Sequence, residues 1–146
     1  MRSVDEILKT KGGEIYSVGP DEPILAALRK MAEKHCGALA VMSGTRLVGI
    51  FSERDYARKV VLLGRSSADT PVSVVMSSKV TTVAHDATIN ECMALMSERR
   101  IRHLPVVDGE RVLGMLSIGD LVNWIIRRQE EEIHHLHHYI SGSYPA

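Results

Sequence analysis

The chain contains one pattern twice. When the sequence is shifted by 65 positions, residues 15–58 align with residues 80–123 without a gap, and 12 of the 44 pairs are identical. The most similar stretch reads Gly-apolar-apolar-Ser-x-x-Asp in both copies, at Gly49–Asp55 and at Gly114–Asp120. Each copy of such a repeat is one structural unit. The sequence therefore predicts two pseudo-symmetric units that bury a shared face, and clefts between such units favour ligand binding.

The apolar spacing within each copy predicts a mixed α/β (α+β) class with the order strand, helix, strand, hairpin, strand, helix. Apolar residues at i, i+4 and i+7 predict helices that start near Asp21 and Asp86. A turn with glycine between two apolar runs, such as Asp108-Gly109, indicates a hairpin. The predicted strands are residues 15–18, 38–42 and 47–51 in the first copy and 80–83, 104–107 and 112–116 in the second, with short helical lead-ins at 4–8 and 72–76.

The same pattern sets the predicted boundaries. They place the first repeat at 1–63, a small polar linker at 64–71, the second repeat at 72–126 and a carboxy-terminal helix extension and tail at 127–146. The last helix should run from near Gly119 to about Ile140. Its apolar residues follow heptad spacing, with Gln129 interrupting Val122, Ile126, Ile133, Leu136 and Ile140. This stripe is too short for an independent coiled coil and predicts a surface that packs on a second copy, so we expect a homodimer.

The bulk properties exclude several classes of function. The formal net charge is zero and only 4% of the residues are aromatic, which argues against binding nucleic acid. No run of about 18 apolar residues is present to span a membrane. Cys36 and Cys92 are too few for a disulfide framework and fit a reducing, cytoplasmic environment. The sequence has no P-loop, Gly-x-Ser-x-Gly or Gly-x-Gly-x-x-Gly motif, so we expect no enzymatic activity.

The Ser-x-x-Asp part of each motif falls where a strand turns into a helix, and two interpretations stay open. One is a capping box at each helix start, formed within Ser52–Asp55 and within Ser117–Asp120. The other places a ligand there, because free N–H groups favour phosphate and a carboxylate can bind two adjacent ribose hydroxyls. Arg54 adds a cation in the first copy where the second copy has Gly119, so we expect two unequal sites.

The sequence resembles a tandem pair of cystathionine-β-synthase-type (CBS) domains, a Bateman module. The resemblance rests on the repeat order and on the strings GIFSERDYARKV, RIRHLPV and GMLSIGDLV, and it covers about Val4 to Ile126. It implies two β-α-β-β-α repeats packed sheet to sheet, to which this chain adds an extended C-terminal helix. It further implies a non-catalytic regulatory module that senses AMP, ADP, ATP or NAD, or in some members S-adenosylmethionine, and modulates an unidentified partner protein in trans.

The resemblance also implies which residues form the site. The motif Asp would hold the ribose diol and the motif Ser would lie near ribose or phosphate, which gives Ser52, Asp55, Ser117 and Asp120, with Arg54 and Gly119 beside them. The adenine would rest against the first strand and the segment that enters the second, at Tyr16, Val18, Gly37, Ala38, Thr82, Val83, His103 and Pro105. Arg102, in a basic cluster with Arg100 and His103, either contacts phosphate or is solvated charge at a helix end.

Two other functions stay open. The chain is either a structural dimerisation module whose motifs only cap helices, or a nucleotide hydrolase that uses Asp55 and Asp120. His134 and His138 lie at i, i+4 and form a candidate metal pair. Because neither an HExxH motif nor a convergent carboxylate set accompanies them, we expect no metal.

Overall fold

Two three-stranded sheets form the framework of the protein. The computed structural model describes residues 3–12 and 14–140, except for the side chains of residues 138–140. The first sheet has the order β1 (Ser17–Val18), β2 (Ala38–Ser43), β3 (Arg46–Ser52), and the second has the order β4 (Val83–Ala84), β5 (His103–Asp108), β6 (Arg111–Ser117). In both, the first strand is parallel to the middle strand, which is antiparallel to the third. The predicted mixed class with two similar halves is confirmed.

Both hairpins close through a two-residue turn. Ser43 pairs with Arg46 in the first sheet, and Asp108 pairs with Arg111 in the second. The first turn residue is a glycine with a φ of 64° in one hairpin and 61° in the other. Only glycine adopts that left-handed region at no steric cost, which explains the Gly in each turn. The two hairpins are therefore equivalent, as the repeat predicts.

The helices are α1 (Val4–Lys11), α2 (Ile24–Lys34), α3 (Glu53–Asp55), α4 (Val72–Val75), α5 (Ile89–Arg99) and α6 (Ile118–Ile140), and α3 continues as a π-helical segment, Tyr56–Val61. The predicted helix starts near Asp21 and Asp86 are wrong by three residues. The N-caps are Pro23 and Thr88, and the Thr88 side chain forms a capping box with Glu91. The residues before Pro23 form a turn instead, in which the Glu22 N–H donates to the Gly19 carbonyl.

Each lead-in helix packs in the hydrophobic core of the other repeat. Val4 and Ile7 of α1 are buried with residues of the second repeat, including Leu104. Val72 and Val75 of α4 are buried with residues of the first repeat. The two halves of the fold are therefore interlocked. The sequence boundaries at 63, 71 and 126 stay predictions.

The motif glycines make this packing possible. A Cβ added at Gly49 would lie 2.6 Å from the Met76 sulfur, and one added at Gly114 would lie 2.9 Å from a methyl carbon of Leu8. Met76 and Leu8 belong to the lead-in segments of the opposite repeats. The Gly of Gly-apolar-apolar-Ser-x-x-Asp thus lets the lead-in segment approach the last strand, three residues before the motif Ser.

Candidate functional site

A cleft of about 1170 Å³ lies between the two halves, and both Ser-x-x-Asp motifs face it. Residues from both repeats and from the lead-in segments line it. Of the fifteen residues predicted for the site, the cleft brings together eleven: Tyr16, Gly37, Ala38, Ser52, Arg54, Asp55, Arg102, His103, Ser117, Gly119 and Asp120. The repeat thus places both motifs in one continuous space.

Four predicted site residues do not line this cleft. Val18 is buried in the first core, and Pro105 is buried within β5. Thr82 is exposed, and Val83 packs half-buried against the second core. Their predicted contacts with adenine stay predictions, since a strand interior can shape a cleft without lining it.

The first motif forms the capping box that one interpretation predicts. The backbone N–H and the hydroxyl of Ser52 both lie 3.0 Å from Asp55 Oδ2, and the Asp55 N–H donates back to Ser52 Oγ at 3.3 Å. The N–H of Glu53 donates to the carbonyl of Gly37 at 3.0 Å. Protein groups therefore already occupy N–H groups that the other interpretation assigns to phosphate.

Two further donors reach Asp55 from outside the motif. The Ser77 hydroxyl lies 3.1 Å from Asp55 Oδ1, and the Lys59 ammonium lies 3.2 Å from the same oxygen. Lys59 also donates to the carbonyl of Val75 at 3.1 Å. Asp55 is the buried charged residue of the described chain, with 6% of its surface exposed. Its two oxygens accept three hydrogen bonds and pair with one ammonium, which uses most of the capacity of a carboxylate.

The second motif repeats the cap but leaves its carboxylate less occupied. The Ser117 N–H donates to Asp120 Oδ2 at 2.8 Å, and the Asp120 N–H donates to Ser117 Oγ at 3.1 Å. The Lys11 ammonium, at the end of α1, lies 2.8 Å from Asp120 Oδ2 and 2.8 Å from the Met115 carbonyl. Within the described residues, Asp120 Oδ1 accepts no hydrogen bond, so one oxygen is available to a ligand.

The electrostatics of the second motif favour a charged carboxylate beside a neutral imidazole. Burial raises the pKa of Asp120, but hydrogen bonds and charge from Lys11 and Ser117 outweigh it and hold the pKa below its ordinary value. Burial lowers the pKa of His103, and Lys11 and Arg102 lower it further against the opposing effect of Asp120. At neutral pH, His103 is therefore an uncharged ring with one donor and one acceptor nitrogen.

Positive charge is concentrated around the cleft. The cationic side chains that line it are Lys11, Lys34, Arg54, Arg58, Lys59, Lys79, Arg99, Arg100 and Arg102, and the acidic ones are Glu14, Glu53, Asp55 and Asp120. The whole chain carries 18 of each sign, so half of its cations and fewer than a quarter of its acids face this space. A cleft with such an excess attracts an anionic ligand.

Arg54 connects the two repeats across the cleft. Its Nη1 donates to the carbonyl of Arg100 at 2.7 Å, and Arg100 ends α5 with a left-handed φ of 55°. The basic cluster Arg100, Arg102 and His103 thus lines the cleft rather than facing bulk solvent alone. Gly119 has no side chain to make the corresponding link in the other half. The two motifs therefore differ in the cation at this position, and unequal binding at the two stays a prediction.

Sequence reasoning missed the three donors that reach the motif carboxylates from outside. Lys11 and Ser77 lie outside the aligned residues 15–58 and 80–123, so the repeat carries no signal for them. Lys59 follows Asp55 by four residues, a spacing that brings side chains together on a helix and that could have identified it. Lys11 and Ser77 reach the cleft because each lead-in segment packs against the other repeat.

The remaining candidates are a metal site and the two cysteines. Among the described residues, no group of three or more His, Cys, Asp or Glu side chains is close enough to hold a metal ion. The predicted His134 and His138 pair is not tested, because the side chain of His138 lies outside the described residues. Burial raises the pKa of the Cys36 thiol, and that of Cys92 to about 11, so neither is an activated nucleophile.

Comparisons with known proteins find the same domain twice in this chain. The sequence model of the CBS domain matches residues 4–62 and 72–127. The mitochondrial CBS domain-containing protein CBSX3 of Arabidopsis thaliana is 35% identical over 97% of this chain and 73% of its own length. A putative signal-transduction protein with CBS domains from Burkholderia ambifaria is 48% identical, with a TM-score of 0.84, over 87% of this chain and 96% of that one. The Pyrobaculum aerophilum CBS domain protein complexed with AMP, 24% identical with a TM-score of 0.72 over 81% and 88% of the two chains, shares the fold.

Proposed function

The chain belongs to the CBS domain family, and we propose that it is a non-catalytic regulatory module whose cleft binds an adenine nucleotide, AMP, ADP, ATP or NAD. The observation that carries the proposal is the pair of motif carboxylates facing one cleft in which nine cations outnumber four acids. The carboxylates suit a ribose diol and the cations suit phosphate. The AMP complex of the Pyrobaculum aerophilum protein supports the ligand class.

Each part of a nucleotide has a matching group in the cleft. The open Oδ1 of Asp120 can accept a ribose hydroxyl without displacing an internal hydrogen bond. Neutral His103 can donate to or accept from a purine base, because its ring has one donor and one acceptor nitrogen. Tyr16 offers an aromatic face, although Lys34 lies 5.4 Å from its ring centre. The cations are the source of phosphate affinity, because cap and backbone groups occupy N–H groups at both helix starts.

Titration calorimetry with AMP, ADP, ATP, NAD and adenosine tests the proposal. We expect a micromolar dissociation constant, about −8 kcal/mol, and thermal stabilisation of about 2.7 kcal/mol at about 100 times that concentration. Asp120→Ala should remove binding at the second motif. Asp21→Ala is the matched control, because Asp21 is exposed and lies outside the cleft. The absence of binding and of stabilisation with every nucleotide would favour the structural dimerisation module instead.

The hydrolase alternative has a separate test. Asp55 accepts three hydrogen bonds and pairs with Lys59, which leaves it poorly placed to activate water. Incubation of the protein with ATP and magnesium, followed by chromatography of the nucleotide, should return intact ATP. Hydrolysis that Asp55→Ala or Asp120→Ala abolishes would establish the enzyme.

We further propose that the module is a homodimer held in part by α6. The exposed fractions of four apolar residues, Val122, Ile126, Ile133 and Leu136, are 41%, 46%, 66% and 62%, which leaves an apolar stripe uncovered in the single chain. Gln129 is exposed between them, and the side chain of Ile140 lies outside the described residues. Changing both Ile133 and Leu136 to Ser should lower the mass measured by light scattering at low micromolar concentration. An unchanged dimer mass would show that α6 does not hold the dimer together.

The proposed setting is the cytoplasm, where the module would act in trans on an effector protein. The reduced Cys36 and Cys92 are consistent with a reducing compartment. Within residues 3–12 and 14–140, no helix has the length and apolarity that crossing a membrane needs. The Arabidopsis thaliana relative is named mitochondrial, so fractionation of cells that express a tagged chain is the deciding measurement. Mass spectrometry of small molecules released from the purified protein would identify the ligand, S-adenosylmethionine included.

A further inference from the structure

The second motif has a cation that its own sequence lacks. Gly119 stands where the first motif has Arg54, so the motif alone suggests a site that binds phosphate poorly. The structure brings Lys11 to this place from 109 residues away in sequence. Its ammonium lies 2.8 Å from Asp120 Oδ2 and 2.8 Å from the Met115 carbonyl. A lysine ammonium has three donors, so one N–H is left for a ligand in the cleft.

The first motif also has a lysine beside its carboxylate, but on the oxygen that the cap does not use and from a different part of the fold. The Lys59 ammonium lies 3.2 Å from Asp55 Oδ1 and 3.1 Å from the Val75 carbonyl. Trp124 stands 65 positions after Lys59, so the second repeat cannot supply its own copy of this lysine. Both motif carboxylates therefore carry a lysine that also bonds a backbone carbonyl, although the two lysines are not equivalent in the repeat.

Packing fixes the helix that carries Lys11. Val4 and Ile7 of the same helix are 0% and 5% exposed in the second core, and Leu8 contacts the strand at Gly114. The charge of Lys11 contributes to lowering the pKa of His103 and opposes the effect of burial on the pKa of Cys36. Both residues line the cleft, so the ammonium faces the cleft, with the Lys11 side chain 39% exposed.

We propose that Lys11 is the phosphate-binding residue of the second motif. Its ammonium keeps its bonds to Asp120 and Met115 and directs the third N–H to the phosphate of a nucleotide whose ribose is held by Asp120 Oδ1. The lead-in helix of one repeat thereby makes the other repeat selective for nucleotides over nucleosides. This inference rests on the proposed function and assigns a residue to one part of the ligand.

The test compares AMP with adenosine in an Arg54→Gly background, which gives both motifs the same residue at that position. There, Lys11→Met should weaken AMP binding about tenfold, the loss expected for one charge-assisted hydrogen bond, and leave adenosine binding unchanged. Lys9→Met is the matched control, because Lys9 is an exposed lysine of the same helix that does not line the cleft. Lys11→Arg keeps the charge and should keep most of the preference for AMP.

Each other outcome overturns the assignment. Equal weakening of AMP and adenosine would make Lys11 a residue that only shapes the site. Tighter adenosine binding would show that Lys11 blocks Asp120 in the wild-type chain. No change for either ligand would show that Lys11 only forms a surface ion pair. If Lys11→Met does not fold by circular dichroism, Lys11→Gln replaces it in the same titration. Failure of the wild-type chain to bind any nucleotide overturns the proposed function as well, whereas the other failures leave that function standing.

Discussion

Asp55 and Asp120 occupy the same position in two copies of one motif, yet their carboxylates differ in how fully the protein uses them. The Asp55 side chain is 9% exposed, accepts three hydrogen bonds from Ser52 and Ser77, and forms an ion pair with Lys59. The Asp120 side chain is 22% exposed and accepts two, both on the same oxygen. One seven-residue pattern thus produces the same helix cap in both copies but two different surroundings for the carboxylate.

The difference originates outside the motif. Ser77 follows α4, and Lys11 ends α1, so each lead-in segment contributes one donor to the motif of the other repeat. The first repeat adds Lys59 from its own helix, where the second has Trp124. Contacts within the protein engage both carboxylate oxygens of Asp55, whereas Asp120 Oδ1 is left for a ligand. We therefore expect the ribose to prefer the second motif, while Arg54 favours phosphate at the first.

The largest expected effect is a difference in stability between the two alanine variants. Asp55→Ala should lower the free energy of unfolding by about 3 kcal/mol, because it removes a helix cap and the acceptor of Ser77 and Lys59. Asp120→Ala should cost about 1 kcal/mol, since Lys11 is partly exposed and can turn to water. Urea denaturation of both variants and of the Asp21→Ala control measures the two losses. Equal losses would show that the two carboxylates are equivalent in the folded chain.

The elements that follow from local pattern could be predicted from the sequence. The hairpins have glycine between apolar runs, and the position of each motif follows from the strand before it. The predicted helix starts are wrong because the N-caps are Pro23 and Thr88 rather than the acidic residues before them. In one case a signal was present, since Thr88 and Glu91 have the Thr-x-x-Glu spacing of a capping box.

The sequence could not predict which groups of the protein contact each motif carboxylate, for a physical reason. The amphipathic pattern of α1 shows that Val4 and Ile7 need a core, but it does not show which core. Because α1 packs in the second core, Lys11 meets Asp120, and no spacing in the sequence connects residues 109 positions apart. The burial of Asp55 has the same origin, since Ser77 arrives with α4. The motif identifies the carboxylates, and only the packing shows which of them is open.

The stability that the Asp120 carboxylate contributes should depend on pH. The pKa of Asp120 is held below its ordinary value of 3.8 by contacts that outweigh burial. A lowered pKa gives stability that is complete above the ordinary value and is lost as the pH falls through the folded-state value. The stability difference between wild type and Asp120→Asn should therefore be constant near neutral pH and shrink in acid below about pH 4. Urea unfolding over that range measures it, and a difference that stays constant in acid would contradict the Lys11 contact.

The smallest effect concerns how the two lead-in helices attach. The N–H groups of Val4 and Asp5 donate to the Ala87 and His85 carbonyls, and those of Val72 and Ser73 donate to the Glu22 and Pro20 carbonyls. The backbone attachment is thus the same in both halves. Only α1 adds a titratable pair, in which His85 Nδ1 lies 2.9 Å from Asp5 Oδ2, because Ser73 and Pro20 stand at the corresponding places.

Hydrogen exchange can detect that pair, with α4 as an internal control. The hydrogen bond and charge of Asp5 raise the pKa of His85 against the effect of burial, and Asp86 and Asp108 act in the same direction as Asp5. A raised pKa gives stability that is complete below the ordinary value of 6.5 and is lost as the pH rises through the folded-state value. After correction for the intrinsic rate, amides of α1 should open more readily as the pH rises above 6.5, while those of α4 should not change. His85→Gln should abolish the difference. If α1 and α4 respond alike in the wild-type chain, the ion pair does not hold the helix, and attachment rests on the backbone bonds and the buried valines that both helices share.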